Sequence, residues 1–255
     1  RHTRLRTVTG VQTCALPIYM TKKFDVLENH KNTAIGSLLN ACIQIFFQTS
    51  YRISPGTDFK FSIGLTHFSN GSYATPNIGL NNASASSGFI FYFDSSHAAP
   101  KRKILPPVDR KIQYEIIVAG GAKEIYPAGG KKYSAWTLSA GAFKRASHKY
   151  RIGLGADLFY DYSLTARLSK NENYATQTSD RIRTGIYFSN ELMFGPLITM
   201  LQMGGYIYYP FKDDGSVYHR IGFKYLCSQH LFLNVTLRTH YARADNGEWG
   251  IGYRF

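Results

Sequence analysis

The sequence predicts an all-β fold, a transmembrane antiparallel β-barrel. Period-2 alternation recurs from position 34 to the C-terminus in segments of about 9–15 residues, separated by clusters of Gly, Pro, Asn, Asp and Ser. Aromatic residues are abundant (19 Tyr, 17 Phe) and gather at segment ends, as in the girdles of membrane barrels. Apolar residues make up 44% of the chain, yet none of their runs reaches the roughly 18 needed for a spanning helix.

Positions 1–18 stand apart. VTGVQTCALPI within them resembles the translation of a sequencing-library adapter. The stretch lacks the basic start, apolar core and small-residue cleavage site of a signal peptide. The expectation is an N-terminally truncated reading frame, with 1–18 foreign to the fold, 19–33 a loop or linker, and 34–255 the barrel. Eleven strands are then visible, near 34–50, 58–70, 83–95, 111–124, 133–146, 149–163, 181–194, 196–209, 217–228, 230–243 and 246–255.

The last two strands alternate most clearly. Leu231, Leu233, Val235, Leu237 and Tyr241 share one face, opposite Asn234, Thr236, Arg238 and His240. Trp249, Ile251, Tyr253 and Phe255 oppose Glu248, Gly250, Gly252 and Arg254. In 149–163, Ile152, Leu154 and Leu158 oppose Arg151, Asp157 and Asp161. Apolar-out, polar-in strands describe a membrane barrel, and closure satisfies every backbone group in hydrocarbon. Segments 133–146 and 196–209 alternate poorly, so their facing stays open.

Connections alternate between tight and long. Tight ones fall at 54–57, 146–148, 195–196 and 228–229, and long ones at 71–82, 125–132, 164–180 and 210–216. Short turns face the periplasm in such barrels. The linker 96–110 and the short Asp245-Asn246-Gly247 turn depart from that rhythm. An even strand total with both termini periplasmic needs at least one more strand before position 34, so about twelve strands are expected, with fourteen as the alternative.

The formal net charge of +14 would suggest nucleic acid or an anionic surface as partner in a soluble protein. Arg1, Arg4 and Arg6 belong to the doubtful leader, and the remainder stays basic. The runs Lys101-Arg102-Lys103 and Lys131-Lys132 read first as solvated loop charge, and His97 and His148 as loop residues. Glu115, Glu191 and Glu248 alternate inward and are expected to pair with Arg151, Arg183, Arg238 or Arg254. Cys14, Cys42 and Cys227 signal neither a disulfide framework nor a metal site, and His219, His230 and His240 lack ligand spacing.

The stretch THFSNGSYATPNIGLN, 66–81, carries the chemistry. Phe59, Phe61, Ile63 and Leu65 form the apolar side of strand 58–70, and His67 and Ser69 continue that side at its end. The ordinary reading is a pair of interfacial polar residues. The functional reading is a nucleophile and its base, because i and i+2 share a face and a hydroxyl needs an adjacent base. Asn70 and Ser72, with Gly71 between them, offer backbone N–H groups and Asn77 a side-chain amide, so these are oxyanion-hole candidates.

HFSN at 67–70, followed at fixed spacing by Pro76, Asn77 and Gly79, resembles the outer-membrane lipid A 3-O-deacylases, the acyloxyacyl hydrolase family. The resemblance implies His67 as base, Ser69 as nucleophile and an ester-linked acyl chain of lipopolysaccharide as substrate. The family's third catalytic residue, a glutamate twelve positions after the serine, falls on Asn81 here, an amide that orients a histidine without supplying charge. The family's best-known architecture has eight strands rather than eleven.

The expected function is that of a membrane-embedded serine esterase of lipid A in the outer membrane. Ser69 attacks, His67 moves the proton, Asn81 orients His67, and Asn70, Ser72 and Asn77 surround the oxyanion. No metal, diffusible cofactor or nucleic acid is expected. The alternative is a non-catalytic outer-membrane barrel, a channel or structural protein.

Overall fold

The computed structural model describes residues 7–93, 106–170, 174–241 and 243–255. His97 and the Lys101-Arg102-Lys103 run lie outside the described residues. The chain divides into two compact units. One runs to Asn70 and resumes over Asn77–Pro106, and the other comprises Gly71–Pro76 and Pro107–Phe255.

The first unit is an open antiparallel sheet of β1 (Thr7–Tyr19), β2 (Leu39–Ser54), β3 (Thr57–Ser69) and β4 (Leu80–Phe91), in that spatial order. β1 occupies the segment expected to be foreign to the fold. It pairs with β2 from Thr7↔Tyr51 to Tyr19↔Leu39, a ladder of peptide groups that most sequences can supply. In β3 the odd positions Phe61, Ile63 and Leu65 are exposed and Thr66 is buried, as the alternation predicts.

The second unit is a closed barrel of eight antiparallel strands: β5 (Ile112–Glu124), β6 (Lys132–Arg145), β7 (Tyr150–Asp161), β8 (Ile182–Phe194), β9 (Leu197–Tyr208), β10 (Val217–Leu226), β11 (Leu231–His240) and β12 (Arg243–Arg254). This corrects the expectation of one barrel of about twelve strands. β12 pairs with β5, from Trp249↔Gly120 to Arg254↔Glu115, and so closes the ring without the first four strands. The long connection after β7 carries α1 (Tyr162–Leu168) and a 3₁₀ turn, Thr178–Arg181. Asp245, Asn246 and Gly247, expected as a turn, lie within β12, and the chain reverses just before it, after Tyr241.

Eight strands leave an interior that side chains can fill, and here they do. Arg151, Glu191, Lys224 and Gln202 are fully buried inside, while Trp249, Leu154, Leu138 and Ile251 point outward and are exposed. The outward and inward sets named for β7, β11 and β12 sit as predicted. β6 and β9 alternate poorly because apolar residues also turn inward: Phe143 on β6, Ile198 and Met200 on β9. Phe143, Phe159, Tyr187, Tyr206 and Tyr218 form an aromatic core within the ring.

The expected inward ion pairs form. Glu115 meets Arg151 at 2.7 Å, Arg254 at 2.9 Å and Lys224 at 2.7 Å. Glu191 meets Arg151 at 2.5 Å and Lys224 at 2.7 Å. Glu248 meets Arg220 at 2.8 Å, while Arg183 turns instead to Asp214. Desolvating such charges costs several kcal/mol each, and shared, bidentate contacts offset that cost.

Candidate active site

β3 ends at Ser69, and β4 starts at Leu80, with the motif loop between them. The β3–β4 register sets His67 directly across from Asn81. Their side chains meet at 2.7 Å, His67 Nδ1 to Asn81 Oδ1. A carbonyl oxygen only accepts, so Nδ1 carries the proton. In the neutral ring that tautomer leaves the lone pair on Nε2, the form a general base requires.

Gly79 explains the second half of the motif. Its φ is +79°, and a Cβ there would lie 2.8 Å from His67 Cε1 and 2.9 Å from the Phe68 carbonyl oxygen. Only glycine adopts this backbone and leaves the imidazole its place. The loop is tied to the preceding linker as well: the Gly79 N–H donates to the Ala34 carbonyl at 3.0 Å and the Ile78 N–H to that of Thr33 at 3.3 Å. Sequence reasoning placed Gly79 in the motif without assigning this seat; a glycine fixed in register beside the histidine was the available signal.

Ser69 lies two residues from His67 and is buried, 3% exposed, unlike the lipid-facing position expected for it. Among the described residues no hydrogen bond joins its hydroxyl to His67. Apo arrangements of nucleophile and base are often loose and tighten with substrate.

The three oxyanion candidates divide. The Asn70 N–H donates to Asn77 Oδ1 at 3.0 Å, closing the base of the loop, so it is already engaged. Asn77 Nδ2 is buried without a hydrogen-bond partner, a donor of the kind an oxyanion would satisfy. Ser72 belongs to the barrel unit, where its hydroxyl donates to the Ala244 carbonyl at 2.7 Å. Its side chain is committed there.

Gly71–Pro76 is bound closely within the barrel unit. The Glu124 N–H donates to the Ser72 carbonyl at 3.0 Å. The Glu124 carboxylate accepts from Thr75 Oγ1 at 2.8 Å, and Lys132 Nζ donates to the Tyr73 carbonyl at 2.7 Å. Lys132 also stands 4.2 Å from the Tyr73 ring centroid. Composition gives no hint of this clamp, because Glu124 and Lys132 are far from the motif in sequence.

Asp214, His240 and Asp245 bring potential metal-ligand atoms within 4.8 Å of one another. Cations already occupy both carboxylates: Arg167 and Arg183 hold Asp214, and Lys123 and Arg238 hold Asp245. The cluster is an ion-pair hub, and a further cation would be repelled.

No curated protein matches the chain. Among solved structures, two mutant porins of Rhodopseudomonas blastica, one of them a triple mutant, align at 9% identity over 98% of this chain and 100% of theirs. Their TM-scores are 0.25 and 0.26, values that relate neither fold nor function. Residues 17–89 match the family model described as lipid A 3-O-deacylase (PagL). Residues 112–255 match that described as acyloxyacyl hydrolase, C-terminal domain. This second match spans more than half of the sequence and shows that the chain belongs to the acyloxyacyl hydrolase family.

Proposed function

We propose that this protein is an outer-membrane serine esterase that removes an ester-linked acyl chain from lipid A of lipopolysaccharide. The observation that carries the reading is the His67–Asn81 bond, which engages Nδ1 and leaves Nε2 of the neutral ring as the available base, two residues from Ser69. Family membership supplies the substrate class. The barrel supports the location, since its exterior is apolar and its interior charged, the reverse of a soluble fold.

In the proposed reaction Ser69 Oγ attacks the ester carbonyl while His67 Nε2 takes its proton. The tetrahedral oxyanion is met by Asn77 Nδ2. Collapse expels the sugar hydroxyl, protonated by His67, and leaves an acyl-serine. Water, deprotonated by His67, then releases the fatty acid and restores Ser69. Asn81 holds the ring through both halves without supplying negative charge.

A second reading, a non-catalytic outer-membrane barrel, draws on the amide at Asn81 and on the separation of Ser69 from His67. Its channel form is disfavoured by an interior packed with aromatic rings and ion pairs. Mass spectrometry of lipid A from lipopolysaccharide-bearing cells exporting the chain separates the two. Loss of one acyl chain that disappears with Ser69→Ala supports the esterase; unchanged lipid A with the folded chain in the membrane supports the second reading.

A further inference from the structure

We propose that the short-turn rim of the barrel holds a site for an anionic phospholipid, formed by Arg110, Lys144 and Arg145. The inference rests on the membrane reading above but not on catalysis. These residues line a groove of about 280 Å³ together with Ala146 and Ile152. Lys144 points outward, paired in register with Ile112 on one side and Ile152 on the other. Its aliphatic stem thus has an isoleucine on either side, the setting in which a lysine extends its ammonium to a membrane boundary. Arg145, next in sequence, faces the opposite way, across from Arg151. Its Nε is buried with no hydrogen-bond partner.

Among the described residues no carboxylate pairs with Arg110, Lys144 or Arg145. Three cations without a paired carboxylate around one groove call for an anion, and a guanidinium fork fits phosphate oxygens. The isoleucines beside Lys144 call for an acyl chain on the same ligand. Zwitterionic headgroups fit less well, because their ammonium adds a further positive charge to a groove lined by Arg110, Lys144 and Arg145 and by no carboxylate. The tight connections at this end, after β6, β8 and β10, place it in the periplasmic leaflet.

Native mass spectrometry of the full chain in detergent micelles tests this, with phosphatidylglycerol, phosphatidylcholine and free glycerol phosphate as probes. Phosphatidylglycerol is expected to be retained in preference to both others. Arg110→Gln with Lys144→Gln and Arg145→Gln should weaken it by about fivefold per cation and roughly a hundredfold together. A control at the long-loop end, Lys131→Gln with Lys212→Gln and Arg243→Gln, should leave it unchanged. Equal retention of phosphatidylcholine, equal binding of glycerol phosphate, or an equal loss in the control would overturn the site. Heat-modifiable migration on gels reports that each variant is folded. A chain that stays in solution without detergent would instead defeat the membrane reading itself.

Discussion

At Asn81 the cross-strand bond holds His67 but would leave the imidazolium of the proposed reaction without a counter-charge. Asn81→Glu keeps the register and supplies one. Turnover of a lipid A substrate should rise while KM stays in place; the reverse exchange in a serine triad costs about 10⁴ in kcat, which bounds the gain. Initial rates at saturating substrate read the effect, and an unchanged rate would remove Asn81 from the mechanism. Gly79→Ala tests the seat of the ring. The left-handed backbone costs a non-glycine residue about 1–2 kcal/mol, and the added methyl meets His67 Cε1 at 2.8 Å. Activity should fall far more than stability, read by comparing lipid A deacylation with urea midpoints. The sequence placed Asn81 beside His67, and the β3–β4 register joins the two; spacing along the strand put Ser69 on the outward side, but it is buried. The engagement of Ser72 with Ala244 was not legible in sequence, because residues far apart in the chain make that bond.

Among the connecting elements, Gly71–Pro76 and the loop after β9 each bond to a buried carboxylate. Glu124 accepts from Thr75 and also from the Gly129 N–H at 2.7 Å. Glu124→Ala removes charge-assisted bonds worth about 1.5–3 kcal/mol each. Amide hydrogen exchange should then accelerate at Ser72 to Thr75 and at Gly129, with the β5–β6 ladder still protected; equal exchange would show that the clamp is redundant. In the second loop Asp214 receives Arg167 at 2.9 Å and Arg183 at 2.5 Å. Burial pushes its carboxyl up, but the two guanidinium groups outweigh burial and hold it below the ordinary carboxylate range. A depressed folded pKa gives stabilisation that is complete above the unfolded value, about 3.9, and lost as pH falls through the folded one. Limited proteolysis within 210–216 should therefore quicken only under that acidic condition. Asp214→Asn should make cleavage fast at neutral pH as well.

Taken whole, the barrel shows what alternation encodes and what it omits. Period-2 patterning located each strand from β2 onward to within a few residues, and for β7, β11 and β12 it also gave the inward face. Closure is a property of which strands pair, and the β12–β5 ladder leaves no mark on either strand's own pattern. Charge balance inside the ring yields the sharpest test. Lys224, Arg151 and Arg254 surround Glu115 and Glu191. Glu115→Gln leaves those cations facing one carboxylate in a dry interior, where an uncompensated buried charge costs about 3–5 kcal/mol. Lys224→Met removes one cation from the side that holds more, leaving Arg151 and Arg254 matched to Glu115 and Glu191, and its aliphatic chain still packs beside Phe143. The carboxylate substitution should thus destabilise the folded barrel much more than the lysine substitution, read as urea midpoints in lipid vesicles. If packing volume rather than charge governs the interior, the order reverses, because glutamine nearly matches the volume of glutamate while methionine does not reach as far as lysine.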